Sequence, residues 1–251
     1  MNHLIRVLAV LGAWSLLGVG SARAEDVKLK LGSDAVVADK LVVQDSAGVQ
    51  QFSVDSTGNV AAVGTVKAKN VGMVYTRWGR TVCPAGNTLV YDGYAASSHY
   101  THEGSGANLL CLSKTPTWDV YDDANLDHSL LYGAEYETSG GQIGEAMAAL
   151  HDYKAPCAVC LVENAGAQFM YPGSQTCPAG WTTQYAGHLT APYHTSYGKG
   201  EFACVDRAAE GIGSNVSTDG RSFHSTEGQC GSLPCPPYVQ DREITCSVCT
   251  R

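Results

Sequence analysis

Ten cysteines, all between Cys83 and Cys249, constrain this chain more than any other feature. Eight of them form two matching series: Cys83, Cys111, Cys157 and Cys160, then Cys177, Cys204, Cys246 and Cys249. Each series opens with one interval of 28 or 27 residues, continues with one of 46 or 42, and closes on Cys-x-x-Cys. The flanks agree as well. Thr81-Val82-Cys83-Pro84-Ala85-Gly86 faces Gln175-Thr176-Cys177-Pro178-Ala179-Gly180, and Tyr91-Asp92-Gly93-Tyr94 faces Tyr185-Ala186-Gly187-His188. Cysteines, glycines and their neighbours recurring together read as a duplication, with halves at 74–164 and 165–251.

The compartment decides what so many cysteines do. Residues 1–6 are short and basic, 8–20 form an apolar run broken by glycines, and Ala22-Arg23-Ala24 places small residues where a signal peptidase reads. That three-part pattern predicts a secretory signal over 1–24, and an exported chain oxidises an even cysteine set to disulfides. The rival reading makes Cys157, Cys160, Cys246 and Cys249 the thiolates of a zinc site. Those two pairs stand much further apart than the pairs of a zinc ribbon, and no βαβ context supports a thioredoxin-like role. No later stretch approaches about 18 consecutive apolar residues, so no membrane span is expected. With 24 acidic residues against 16 basic ones and no basic block, the chain is a poor nucleic-acid binder.

Residues 25–82 hold no cysteine and follow a different rule. Within 36–68, short alternating bursts end in Asp45-Ser46-Ala47-Gly48 and, ten residues later, in Asp55-Ser56-Thr57-Gly58. Turns rich in Asp, Ser and Gly between Val-rich stretches predict a strand-turn-strand repeat. So short a segment cannot bury a core alone, whereas three copies wound together can. The run LVVQDSAGVQQFSVDSTGNVAAVGTV resembles the shaft repeats of trimeric phage tail fibres and related bacterial stalks. A linker with a stray hairpin is the other reading.

The Cys-Pro-x-Gly followed by Tyr-x-Gly, and the closing Cys-x-Val-Cys, occur in both halves. With Tyr75-Thr76-Arg77-Trp78-Gly79-Arg80 and Gly231-Ser232-Leu233-Pro234-Cys235-Pro236-Pro237-Tyr238, they make residues 74–251 resemble the C-terminal domain of spongin-like short-chain collagens. More distantly, they resemble the non-collagenous domain of collagen type IV. Ten cysteines alone allow hundreds of pairings. The resemblance implies Cys83–Cys160, Cys111–Cys157, Cys177–Cys249 and Cys204–Cys246, with Cys230–Cys235 as a local loop of the second half. These relatives carry Gly-X-Y repeats before the domain; here the β-patterned segment stands instead, so triple-helical function does not carry over.

Chemistry-bearing clusters are few. His99, Tyr100 and His102, with Tyr193 and His194 at the equivalent place of the second half, are candidates to hydrogen-bond a sugar or hold a metal; a satisfied loop is the plainer reading. Asp119, Asp122, Asp123 and Asp127 are dense enough for calcium, but their order does not fit an EF-hand loop and equally suits a solvated acidic loop. Trp78, Trp118 and Trp181 fit core filling better than sugar stacking. No nucleophile elbow, zincin helix or phosphate loop is present. The fold expected is all-β: a duplicated, disulfide-rich β-domain with pseudo-twofold symmetry behind a short β-stalk. The function expected is non-enzymatic: a secreted extracellular structural or adhesive protein that self-assembles as a homotrimer. A glycan-binding or matrix-surface recognition module is the alternative.

Overall fold

The computed structural model describes residues 40–55, 57–63, 72–120, 123, 129–138 and 147–251. The expected signal segment 1–24, and stalk residues 25–39 and 64–71, lie outside the described residues. The chain divides into two compact units, Met1–Val66 and Lys67–Arg251.

In the first unit, β1 (Lys40–Gln44), β2 (Gln50–Asp55) and β3 (Val60–Ala62) form an antiparallel meander. The ten-residue repeat is a repeated aspartate turn. Asp45 Oδ1 accepts the amides of Ala47 and Val49, each at 2.9 Å, and Asp55 Oδ1 accepts those of Thr57 and Asn59 at 3.0 and 2.9 Å. Such side-chain caps mimic a backbone turn and let the chain reverse within a few residues. The Thr57 hydroxyl, then Asn59, hold the Asp55 carboxyl down at about 2.

The second unit is one ten-stranded sheet and a two-stranded ribbon. Its strands are β4 (Gly72–Trp78), β5 (Thr88–Ser97), β6 (Leu110–Ser113), β7 (Tyr132–Tyr136), β8 (Pro156–Glu163), β9 (Gln168–Pro172), β10 (Thr182–Ala191), β11 (Ala203–Asp206), β12 (Arg221–Ser225), β13 (Glu227–Gly228), β14 (Arg242–Glu243) and β15 (Thr245–Thr250). Hydrogen-bonded neighbours run from β11 through β4, β8, β5, β7, β12 and β10, and β10 pairs with β11 again, so the path closes. Two parallel contacts join the sequence halves: β4 with β11 at Trp78–Val205, and β7 with β12 over Ala134–Arg221 to Tyr136–Phe223.

The two halves repeat one local pattern. β8 lies between β4 and β5, and β15 lies between β9 and β10. Gly93 pairs with Cys157 and Leu89 with Cys160; Gly187 pairs with Cys246 and Thr183 with Cys249. In both, the register shifts just before the tyrosine of Tyr-x-Gly, at Leu89/Tyr91 and Thr183/Tyr185. Residues three apart on a strand point to opposite faces. Cys157 and Cys160 therefore cannot close on each other, and each takes a partner from a different side of the sheet. The bridges are Cys83–Cys160, Cys111–Cys157, Cys177–Cys249, Cys204–Cys246 and Cys230–Cys235, the same pairs that the resemblance implies. No cysteine is left free, which removes the zinc-thiolate reading.

The core belongs to both halves at once. One cluster joins Ala95, Ala134, Tyr136 and Met147 to Ala203, Val205 and Phe223; a second joins Tyr75, Ala158 and Cys160 to Tyr185, Leu189, Cys204 and Val248. A buried ion pair bridges them, Arg77 to Asp206 at 2.6 Å, and Asp206 also caps the amide of Ala208 at 2.8 Å. Neither half would bury its apolar residues alone. Trp78 packs against the first cluster, and Trp181 meets Phe169 edge to face at 4.7 Å. Trp118 corrects the core-filling expectation: it is 77% exposed, because residues 114–120 lie outside every strand and so have no sheet face to pack on.

Candidate functional site

Strand alternation builds a polar cleft in the second unit. Along β7, Ala134 and Tyr136 point into the core, as does Phe223 on the adjoining β12. Period-two alternation then turns Glu135 and Ser222, which are register partners, to the opposite face, followed by Glu137 one step beyond the strand. These three form one wall of a cleft of about 430 Å³, completed by Tyr100, His151, Asp152, Ser217, Asp219 and Gly220. Among the described residues four carboxylates line it, and no Lys or Arg does.

Each carboxylate has a distinct environment. Glu135 is only 2% exposed. It accepts the Asp219 amide at 2.7 Å and the Thr218 amide and hydroxyl at 3.2 and 3.1 Å. These donors fasten the loop before β12 to β7. Among the described residues Glu137 has no such donor. Burial pushes its carboxyl up; His151 opposes the rise, and Asp152, Glu135 and Asp219 add to it. His151 lies between two acids, Nδ1 at 3.7 Å from Glu137 and Nε2 at 3.6 Å from Asp152, too far in both cases for a hydrogen bond. The nearest ligand atoms of Glu137, His151 and Asp152 all lie within 4.8 Å of one another.

The residues singled out in the sequence divide into two groups. His99, Tyr100 and His102 gather with Tyr132, the ring centres of His99 lying 4.8, 4.7 and 4.6 Å from those of Tyr100, His102 and Tyr132. Tyr193 instead meets His194 at 4.5 Å and His224 at 5.2 Å. The loops touch through backbone, Gly198 N–H donating to the Tyr100 carbonyl at 2.8 Å. Only Tyr100 of the five reaches the cleft. His99 Nδ1 is occupied by the Thr101 hydroxyl at 2.8 Å. Of the four aspartates considered for calcium, Asp119 and Asp123 are exposed in loops, and Asp122 and Asp127 lie outside the described residues. Among the described residues, neither Asp119 nor Asp123 belongs to a three-ligand group.

Glu137, His151 and Asp152 escaped the sequence reading. Their trace is the alternation of Glu135 and Glu137 with Ala134 and Tyr136, which marks one polar face of a strand. Nothing local ties that face to His151 and Asp152. A scan of the chain against known protein families matches none of them.

The edge of this region carries a pH response. Burial, then His151 and Arg221, push His224 down to about 4; burial and Arg207 lower His188 as well. Both histidines fold neutral, so between about pH 6.5 and 4 the unfolded chain binds more protons. Stability from this source is complete above 6.5 and is lost as pH falls towards 4. The melting temperature is expected to fall across that window, and His224→Gln to flatten the fall. An unchanged slope in the variant would refute this.

Proposed function

We propose that this chain is an extracellular, non-enzymatic structural or adhesive protein that self-associates as a homotrimer through its N-terminal unit, with the disulfide-bonded domains as its heads. We further propose that residues 74–251 share ancestry with the C-terminal domains of short-chain collagens. Ten cysteines in five bridges fit export. Among the described residues no helix is long and apolar enough to cross a membrane.

The observation that carries the assembly reading is the meander of the first unit. Its register aligns Val54 with Val60 in one row and Val43, Phe52 and Ala62 in the next. Cross-strand partners share a face, so five apolar positions among the described residues lie on one side of three short strands. Val43 is 51% exposed and Val60 56%. Such a sheet needs packing against something to persist in water, and further copies of itself supply a matching apolar face. The trimeric number follows the resemblance to shaft repeats.

Mass measurement of the secreted protein in native buffer tests this. The full chain is expected at three times the monomer mass, and a chain lacking residues 25–66 at the monomer mass. A monomer in both forms removes the assembly reading and favours recognition of an external ligand by the head. A trimer in both places the contact outside the meander.

A further inference from the structure

We propose that Glu137, His151 and Asp152 form a binding site for a single zinc ion in the cleft of the second unit. The donor set is one imidazole and two carboxylates, each of the three half-buried, and one ligand atom of each lies within 4.8 Å of those of the other two. Donors around zinc at about 2.1 Å stand about 3 to 4 Å apart, so the side chains close by roughly an ångström on binding. Neither Glu137 nor Asp152 accepts a side-chain hydrogen bond among the described residues, and neither approaches a Lys or Arg within ion-pair distance there. Two partly desolvated carboxylates beside Glu135 and Asp219 repel one another, and a divalent cation cancels that repulsion.

A second observation points into the same cleft from another element. Ser222, on β12, is 7% exposed and lines the cleft, yet its hydroxyl has no hydrogen-bond partner. His151 Nδ1 is likewise buried without a partner. Unsatisfied buried polar atoms are costly, and an ion with its bound water is one partner that can satisfy them. Three protein donors leave zinc an open position. The water or ligand oxygen that fills it would give the Ser222 hydroxyl its partner, the outer-shell role that such groups play around metals. Backbone bonds already fix the frame: Glu137 N–H donates to the Phe223 carbonyl at 3.0 Å, and Asp152 N–H to the Tyr136 carbonyl at 2.8 Å. Calcium is the poorer fit, since it takes six to eight oxygens and avoids imidazole.

The test is titration of zinc chloride into the full secreted chain after dialysis against EDTA, followed by calorimetry and native mass spectrometry. One zinc per chain is expected. His151→Gln and Asp152→Asn should each weaken binding more than about 100-fold, and Ser222→Ala about tenfold, as outer-shell losses do. Asp152→Asn is the gentlest variant, because Asp152 holds a φ of 64° that asparagine also tolerates. A non-reducing peptide map with all five bridges certifies folding. X-ray absorption on the zinc-loaded wild type gives a readout independent of any variant, with one imidazole nitrogen and otherwise oxygen expected. Zinc at well under one per chain, unchanged affinity in both ligand variants, a two-imidazole shell, or calcium bound as tightly as zinc would each overturn the proposal.

Discussion

A chain carrying Cys83→Ala and Cys160→Ala is expected to melt about 8 to 16 °C below the wild type, and one carrying Cys230→Ala and Cys235→Ala to lose about half as much. The difference comes from loop length. Cys83 and Cys160 are 77 residues apart, whereas Cys230 and Cys235 are 5 apart. In the chain-entropy model the long bridge restricts the unfolded chain by about 4 kcal/mol and the short one by about 2 kcal/mol. For a domain of this size each kcal/mol moves the melting temperature by roughly 2 to 4 °C. Burial sharpens the contrast. Cys160 is fully buried in the cluster that joins both halves, while Cys230 and Cys235 are exposed in a surface loop. Calorimetric melts of the two double variants beside the wild type check this. Equal losses would mean that the bridges act through local packing rather than through the unfolded chain.

What was legible in the sequence was whatever covalent geometry and backbone geometry had written locally. The two cysteine series, their Tyr-x-Gly glycines and the aspartate turns each occupy a few residues and recur, so they announced a repeated β-structure. The bridge pairing needed the resemblance, although the strand itself holds the reason: a Cys-x-x-Cys in extended backbone sends its sulfurs to opposite faces. The cleft was not legible. Glu135 and Ser222 are partners only because β7 and β12 pair in parallel across a long stretch of chain. His151 and Asp152 come from a turn whose pattern carries no period. His99, Tyr100 and His102, with Tyr193 and His194 at the equivalent place of the second half, stood out as candidates because the halves align in sequence. In space the two loops meet edge to edge, and their rings form separate groups. Duplication predicts equivalent positions within each half, and it does not predict that equivalent loops share a pocket.

Among the described glycines of the domain, Gly187→Ala is expected to be the most damaging single methyl group, costing more than about 4 kcal/mol and sharply lowering the yield of correctly bridged protein. A Cβ on Gly187 would stand 1.7 Å from the Val205 carbonyl oxygen and 3.0 Å from the Arg207 amide nitrogen, both backbone atoms with no rotamer to change. β11 has little freedom to retreat. Cys204, next to Val205, is bonded to Cys246, and Cys246 pairs with Gly187 itself in the adjoining strand. The bridge thus presses β11 onto the residue that must lack a side chain. Gly180→Ala is the control. Gly180 has a φ of +84° but open space around its Cβ position, so only the left-handed strain of about 1 to 2 kcal/mol remains. The same reasoning sets the sign of a coupling. In a chain already lacking Cys204 and Cys246, β11 is released, and Gly187→Ala should cost clearly less than it does in the bridged chain. If its cost is the same with and without that bridge, the glycine is required by the sheet register alone and the disulfide does not hold the close approach.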